Sequence, residues 1–480
     1  MDFPIFHLDF MGNRWLIAMI AILHVLINHA LAVGFAPLVT LMEYRGYLAR
    51  KTDLEQQKRW DDLAYKFLFV AFVITTTVGA MTGVGIWFSA ALVNPASIGS
   101  LIRVFYFAWF TEWIVFVGEV ILIVIYFLTW KKSNRSDKAK RRHIRFGLIL
   151  SIFSWITMAV IVGILGFMMD PGNWLSDKTL FNGFTNPLYI PQLLFRTPLA
   201  MIMAGCIGLL LVAIFAKKDN PIRPRAFRFV SIWTLIWVPH VVIAGLWYYY
   251  KIPDLMIGNL PVALGTQLFQ AWYDKLLYVM FGAVGLAVII GLWTLFNSRR
   301  IPKWLMVLPI IGIFIFIGMF ERIREFIRKP YVIGEYMYAN AIRVEDYPLL
   351  QKDGILPHST FVSVSEVTEE NKLEAGENVF LLACTRCHTT SGINSVVNRF
   401  ERMYGKGNPL NVDAMKTYMR SMHKARYYMP PFPGNEKELD ALAHYVKSLQ
   451  TFPRAIEGAQ LNGTPAVEYD IEKVKEHIKQ

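Results

Sequence analysis

Cys384-Thr385-Arg386-Cys387-His388 is the most chemically specific run in this chain of 480 residues. Two thiols three positions apart on one turn can both add to the vinyl groups of one haem, and the adjacent imidazole then supplies the proximal ligand to iron. A redox Cys-x-x-Cys needs no histidine, and a zinc site would want two further ligands close by. The remaining cysteine is Cys206, so no disulfide framework is available. A second set of reactive side chains sits in strongly apolar sequence: His24, His29, Glu112, Glu119, Arg196 and His240. Glu321, Arg322, Arg324, Glu325 and Arg328 close the last apolar run. Ionisable groups are costly in hydrocarbon, so each is a functional candidate by default.

The surrounding sequence is 55% hydrophobic and only 18% charged, with a mean hydropathy of +0.38. Soluble domains carry about 25% charged residues, so one ordinary soluble fold is excluded, as is disorder. Crossing a bilayer takes about 20 apolar residues. Eight runs qualify, near 14–43, 63–93, 101–130, 144–170, 187–216, 227–250, 270–297 and 303–323. The first is too long for a signal peptide and lacks a small-residue cleavage site, so it reads as an anchor. The expected fold is all-α. A polytopic transmembrane bundle fills 1–330, an outer-face linker 331–374, a compact helical domain 375–452 and a polar tail 453–480.

The net charge of +13 is distributed by topology. Arg45, Arg50, Lys58 and Arg59 follow the first run, and Lys131 to Arg145, including Lys140, follow the third. Lys217, Lys218, Arg223, Arg225 and Arg228 follow the fifth, and Arg299, Arg300 and Lys303 the seventh. Basic loops stay in the cytoplasm, so both chain ends should face outward. That accounts for much of the basic excess without a nucleic-acid partner. Covalent haem is also attached outside the cytoplasmic membrane. The expected location is a bacterial inner membrane, with the N-terminus and the haem c domain on the periplasmic side.

Glu112 and Glu119 are seven residues apart, about 700° and about 10 Å along a helix, hence on one face. They fit a proton relay or a counter-charge to haem iron, and equally a neutral hydrogen-bonded packing pair. His24 lies about 15 Å beyond Arg14 along the first span. It could ligate iron or bond to a neighbouring helix. His29 faces about 140° away from it, so the two cannot serve one iron.

Around the haem motif, Gly376 and Phe380 precede at four-residue spacing, Glu436 to Leu449 forms a closing helix, and Tyr428-Met429-Pro430-Pro431-Phe432 lies between. This pattern resembles the small class I cytochromes c. The resemblance implies Met429 as sixth ligand. Met403, Met415, Met419 and Met422 compete, but none precedes a proline.

Residues 1–340 resemble subunit I of the cytochrome bd quinol oxidases. The likeness is carried by Arg14, His24 and Leu41-Met42-Glu43, by Thr82-Gly83 with Trp87-Phe88, and by Glu112 and Glu119. Its most specific part is Glu325-Phe-Ile-Arg328-Lys-Pro330-Tyr-Val-Ile-Gly334-Glu335. It implies that His24 ligates an oxygen-reacting haem and Glu325 a neighbouring one. Arg328 and Arg14 would lie beside the haems, and Glu112 and Glu119 on the proton side. One or two intramembrane haems, of b or d type, are then expected beside the covalent haem c. The departures are specific. Arg196 stands where the family's low-spin haem has a histidine; Met280 is a candidate partner that lacks the family's preceding arginine, and His240 could serve another haem or be a packing or quinone-site residue. About twenty residues from Lys251 to Gln270 replace the long quinol-binding loop.

The expected function is membrane electron transfer between an outward-facing haem c and bd-like intramembrane haems, ending in reduction of oxygen to water. Two rivals run differently: a quinol-oxidising cytochrome that reduces a periplasmic partner, and a non-catalytic wiring subunit of a larger respiratory complex. Expected partners are the lipid bilayer, other respiratory subunits including one like the bd subunit II, and a periplasmic redox protein or quinone.

Overall fold

In the computed structural model the described residues are 3–50, 52–264, 273–297, 302–453 and 456–459. Most of the tail expected over 453–480, and the end of the loop expected to reach Gln270, lie outside them. Eight helical spans are long and apolar enough to cross a membrane: Asn13–Ala49, Leu54–Val93, Tyr106–Ser133, Asp137–Met169, Tyr189–Phe215, Ile222–Lys251, Tyr278–Phe296 and Lys303–Ile327. They are numbered one to eight below.

Spans two and four begin well before their apolar runs. Side-chain caps set both starts: Asp53 accepts from the Gln56 N–H at 2.9 Å and Ser136 from the Ala139 N–H at 3.1 Å. The added turns are amphipathic and bury Trp60, Lys140 and His143, so tertiary packing carries the helix past the hydrocarbon limit. Spans one and two each change to π-helical winding part-way, at Asn28–Gly34 and Thr75–Gly79. In the second, Thr75, Thr76 and Thr77 turn their hydroxyls back onto carbonyls of the preceding turn, an arrangement that loosens regular helix. Span five is the central post, with 72% of its most apolar window buried, against 17% for span three at the periphery.

At the end of the bundle where spans one and eight meet the C-terminal half, the segment expected as one linker divides in two. Val332, Ile333 and Met337 of a short hairpin pack with Phe105, Phe167 and Trp174 of the bundle. Tyr338, Ile342, Tyr347, Leu350, Ile355 and Leu356 instead join the core of the C-terminal helices. Those helices are Lys372–Ala383, Val396–Tyr404, Val412–Ala425 and Glu436–Thr451. The last is closed by a capping box between Asn435 and Glu438. The Glu438 carboxylate also accepts from the Ile355 and Leu356 N–H groups at 2.8 Å each. Phe6–Leu8 pairs antiparallel with Glu457–Ala459, so the start of the expected polar tail is a strand.

Gly376 lets the first and last of these helices touch backbone to backbone. A methyl group there would come within 2.2 Å of the Ala441 carbonyl oxygen. Gly376→Ala should therefore destabilise the protein by about 1–3 kcal/mol through overpacking, read as a lower thermal midpoint. An unchanged midpoint would show that the two helices can separate freely.

Candidate functional site

Cys384 follows directly on helix Lys372–Ala383, and the chain then turns so that the Cys387 and His388 N–H groups return to the Cys384 carbonyl, at 3.0 and 2.9 Å. Both thiols are free of disulfide, and burial pushes the Cys384 thiol up to about 12. A thiol held protonated is a poor redox nucleophile, which disfavours a dithiol catalyst. The His388 Nδ1 faces the Asn394 carbonyl at 3.1 Å. A proton donated there leaves Nε2 with its lone pair, the arrangement of an oriented metal ligand. Burial, with Arg399 and Arg14 nearby, lowers the imidazole to about 4, so it is neutral at physiological pH. Met429 is held from both sides: its carbonyl meets the His423 Nδ1 at 2.6 Å, and the Tyr418 hydroxyl reaches its sulfur at 3.8 Å. Two thiols, a neutral imidazole and a thioether are a donor set that fits a covalent haem.

In the bundle, the half-buried His24 ring lies between spans one and two. Its Nδ1 is 3.0 Å from the Thr82 hydroxyl, and its Nε2 meets the Asn28 amide. Gly83 leaves room for it, since a methyl group there would sit 3.0 Å from the ring. His29 is directed elsewhere and accepts from Arg196 at 3.2 Å. Arg196 donates to Glu321 at 2.6 Å, and Glu321 accepts from Arg324 at 2.8 Å. Arg196 is fully buried and lies over the Phe320 ring. The position where the family resemblance expects a haem-ligating histidine thus holds an arginine ion-paired to Glu321. The His240 ring is exposed on the outside of span six, its Nδ1 against its own helix at Ile236. Met280 is buried in span seven.

Glu325, one turn beyond Glu321, pairs with Arg328 and with Lys329 at 3.3 Å. Arg328 also donates to the Val332 carbonyl at 2.6 Å. Around them cations outnumber anions. Arg14 Nε, Arg324 Nη1 and Arg328 Nε are buried with no hydrogen-bond partner among the described residues. Buried orphan guanidinium atoms call for carboxylate acceptors, and haem propionates have that chemistry. The donor set and the surplus charge therefore fit an intramembrane haem at this end of the bundle.

On span three, Glu119 accepts from Ser154 at 2.6 Å and Thr157 at 3.2 Å, both on span four. Glu112 sits two turns away, half-buried.

The C-terminal helical domain and span eight meet at this end. The Tyr428 ring, beside Met429, meets that of Phe326, beside Glu325, at a centroid distance of 5.6 Å with the planes tilted by 50°. Arg14 lies over the other aromatic neighbour of that contact, 5.3 Å from the Phe326 ring centre.

One cluster escaped the sequence reading. Lys140, counted there as a loop charge, is fully buried, pairs with Glu43 at 2.8 Å and Asp61 at 3.1 Å, and belongs to a folded ion network. The His143 Nδ1 and the Tyr126 hydroxyl complete it, at 2.6 and 2.7 Å from Glu43. Arg223, likewise read as a topology charge, is buried and donates to the Ala213 and Ala216 carbonyls. A count of basic residues cannot distinguish a solvated cation from one that caps a helix end or answers a carboxylate on another span. His143 in a basic stretch was the one available signal. Among the described residues, no group of three or more His, Cys, Asp or Glu side chains is arranged around a bare metal ion.

No protein-family model matches the chain, and no curated protein matches it in sequence. Among solved structures it is similar to the bd oxidase from Geobacillus thermodenitrificans, with a TM-score of 0.52 and 16% identity over 68% of this chain and 89% of that one. At that identity the likeness is one of fold: this protein is a multi-pass, all-helical membrane bundle of the kind seen in that oxidase.

Proposed function

We propose that the protein is a membrane respiratory oxidoreductase that carries electrons between an outward-facing haem c and haem within the bundle, where oxygen is reduced to water. The observation that carries this reading is the meeting of the two candidate sites, where Phe326, beside Glu325, contacts Tyr428, beside Met429, and Arg14 lies over the same Phe326 ring. Bound haem would supply one-electron chemistry at both levels. Cys384 and Cys387 would hold the outer group through thioether bonds, and His388 and Met429 would supply ligands to its iron. His24 and Glu325 would ligate in the bundle, where Arg14 and Arg328 receive carboxylates. Glu119, anchored by Ser154 and Thr157, would hold a proton or a compensating charge, and Glu112 would pass protons to it. Outward placement of the haem c domain is supported by the basic loops at the opposite ends of the spans. The broad apolar exposure of span three suits lipid or a companion subunit such as a second bd-type chain.

The decisive experiment is a pyridine haemochrome spectrum with the haem-to-protein ratio, combined with oxygen uptake from a reduced periplasmic c-type donor. Covalent haem c plus non-covalent haem, with oxygen uptake, is the expected result. Quinol reduction of haem c without oxygen uptake would reverse the direction of flow. A single c haem with neither activity would leave a wiring subunit.

A further inference from the structure

We propose that Asp9 is a positioning residue, which clamps the loop after the haem motif onto the segment leading into span one and so fixes the outer haem against the bundle. This inference rests on the proposed function. The Asp9 carboxylate is fully buried. It accepts from the Thr390 N–H at 2.6 Å, the Thr390 hydroxyl at 2.7 Å, the Ser391 N–H at 3.0 Å and the Ser391 hydroxyl at 2.8 Å. His7 Nε2 lies 3.0 Å away on the other side. Burial alone would raise the Asp9 carboxyl, but these hydrogen bonds outweigh it and hold the group well below the usual carboxylate range. The clamp is therefore ionised throughout the neutral range.

Both sides of the clamp are tied to functional elements. On the bundle side, Asn13 opens span one and bonds the Leu8 N–H at 3.0 Å and the Phe6 carbonyl at 2.7 Å. Asp9 thus stands between a paired strand and the helix carrying Arg14 and His24. On the other side, Thr390 and Ser391 belong to a tight loop. The Val396 N–H returns to the Thr389 carbonyl at 2.8 Å, and the Asn394 amide donates to the Cys387 carbonyl at 2.6 Å. The Asn394 carbonyl in turn meets the His388 ring. Gly392 permits the contact, since a methyl group there would lie 1.9 Å from the Asp9 carbonyl oxygen. A carboxylate saturated by donors from one loop holds that loop in one place. Loss of an outer hydrogen-bond partner is felt at the ligand it supports.

The c-type domain is therefore a fixed wire rather than a mobile shuttle. The test uses the full-length protein in detergent, as wild type, Asp9→Asn and Thr390→Val with Ser391→Ala. The last pair removes only the two hydroxyl contacts and keeps the proposal testable should the Asp9 variant fail to fold. Covalent haem should be retained in each variant. Electron redistribution between the two haem levels, after flash photolysis of carbon monoxide from half-reduced protein, should slow by about tenfold or more, comparable to outer-partner losses at other metal centres. Asp9→Asn should also raise the midpoint potential of haem c, because a buried negative charge that favours ferric iron is lost, while the hydroxyl variant keeps that charge and its potential. A merely structural tether would not move the potential. Unchanged rates and potentials in haem-bearing variants overturn this proposal alone. Absence of covalent haem from the wild type overturns the functional reading beneath it.

Discussion

Replacing His24 by alanine is expected to remove an intramembrane haem signal while leaving the c-type absorption intact, and to reduce oxygen uptake to background. The ring lies between two spans against Thr82 and Asn28, so its deletion would remove the proposed iron ligand together with the polar reason for that interhelical contact. Gly83 adds a second handle. A methyl group at that position would press on the ring at 3.0 Å, so Gly83→Ala should perturb the same signal without deleting a ligand. Thr82→Val should act more weakly, lowering haem affinity by roughly 10–100-fold as loss of a ligand's hydrogen-bond partner does elsewhere. Haem content and spectra of the purified variants decide the matter. Spectra unaltered by His24→Ala would mean that another residue holds the iron.

The largest effect on stability is expected from Glu321→Ala. It leaves Arg196 in the middle of the bundle with His29 as its remaining side-chain partner. Removing one member of a buried ion pair costs about 3–5 kcal/mol, because an uncompensated charge stays behind. The double variant Arg196→Leu with Glu321→Leu should recover most of that loss, since replacing a whole buried pair by apolar side chains is often close to neutral. Thermal unfolding of the two variants in detergent distinguishes the cases. A single variant as stable as the wild type would show that water or lipid headgroups reach Arg196. Haem counts on the double variant also test whether this cluster is purely structural.

Similarity of fold to an oxidase does not make Glu112 and Glu119 a proton path. What supports that role is the contrast between them. Glu119 is anchored by two hydroxyls from span four, while Glu112 sits two turns along a span that is little covered by the rest of the bundle. The two carboxyls stand about 10 Å apart along the helix, so a proton moving between them would need a chain of bridging water rather than direct transfer.

The sequence alone determined the eight spans and placed the Cys384-to-His388 run within one turn. Transfer of apolar residues into hydrocarbon adds up along a contiguous run, so hydropathy locates a span without knowledge of its neighbours. Cys384, Cys387 and His388 act within one turn, so their geometry follows from their spacing. Tertiary structure alone decided where charges meet. Asp9 finds Thr390 across 381 residues of chain and Arg196 finds Glu321 across 125. Lys140, which looks like any loop cation, answers a carboxylate on span one. A charge shows its sign in sequence, but whether it is solvated or paired depends on which helices pack together. That choice is made by side-chain shape and burial over the whole bundle.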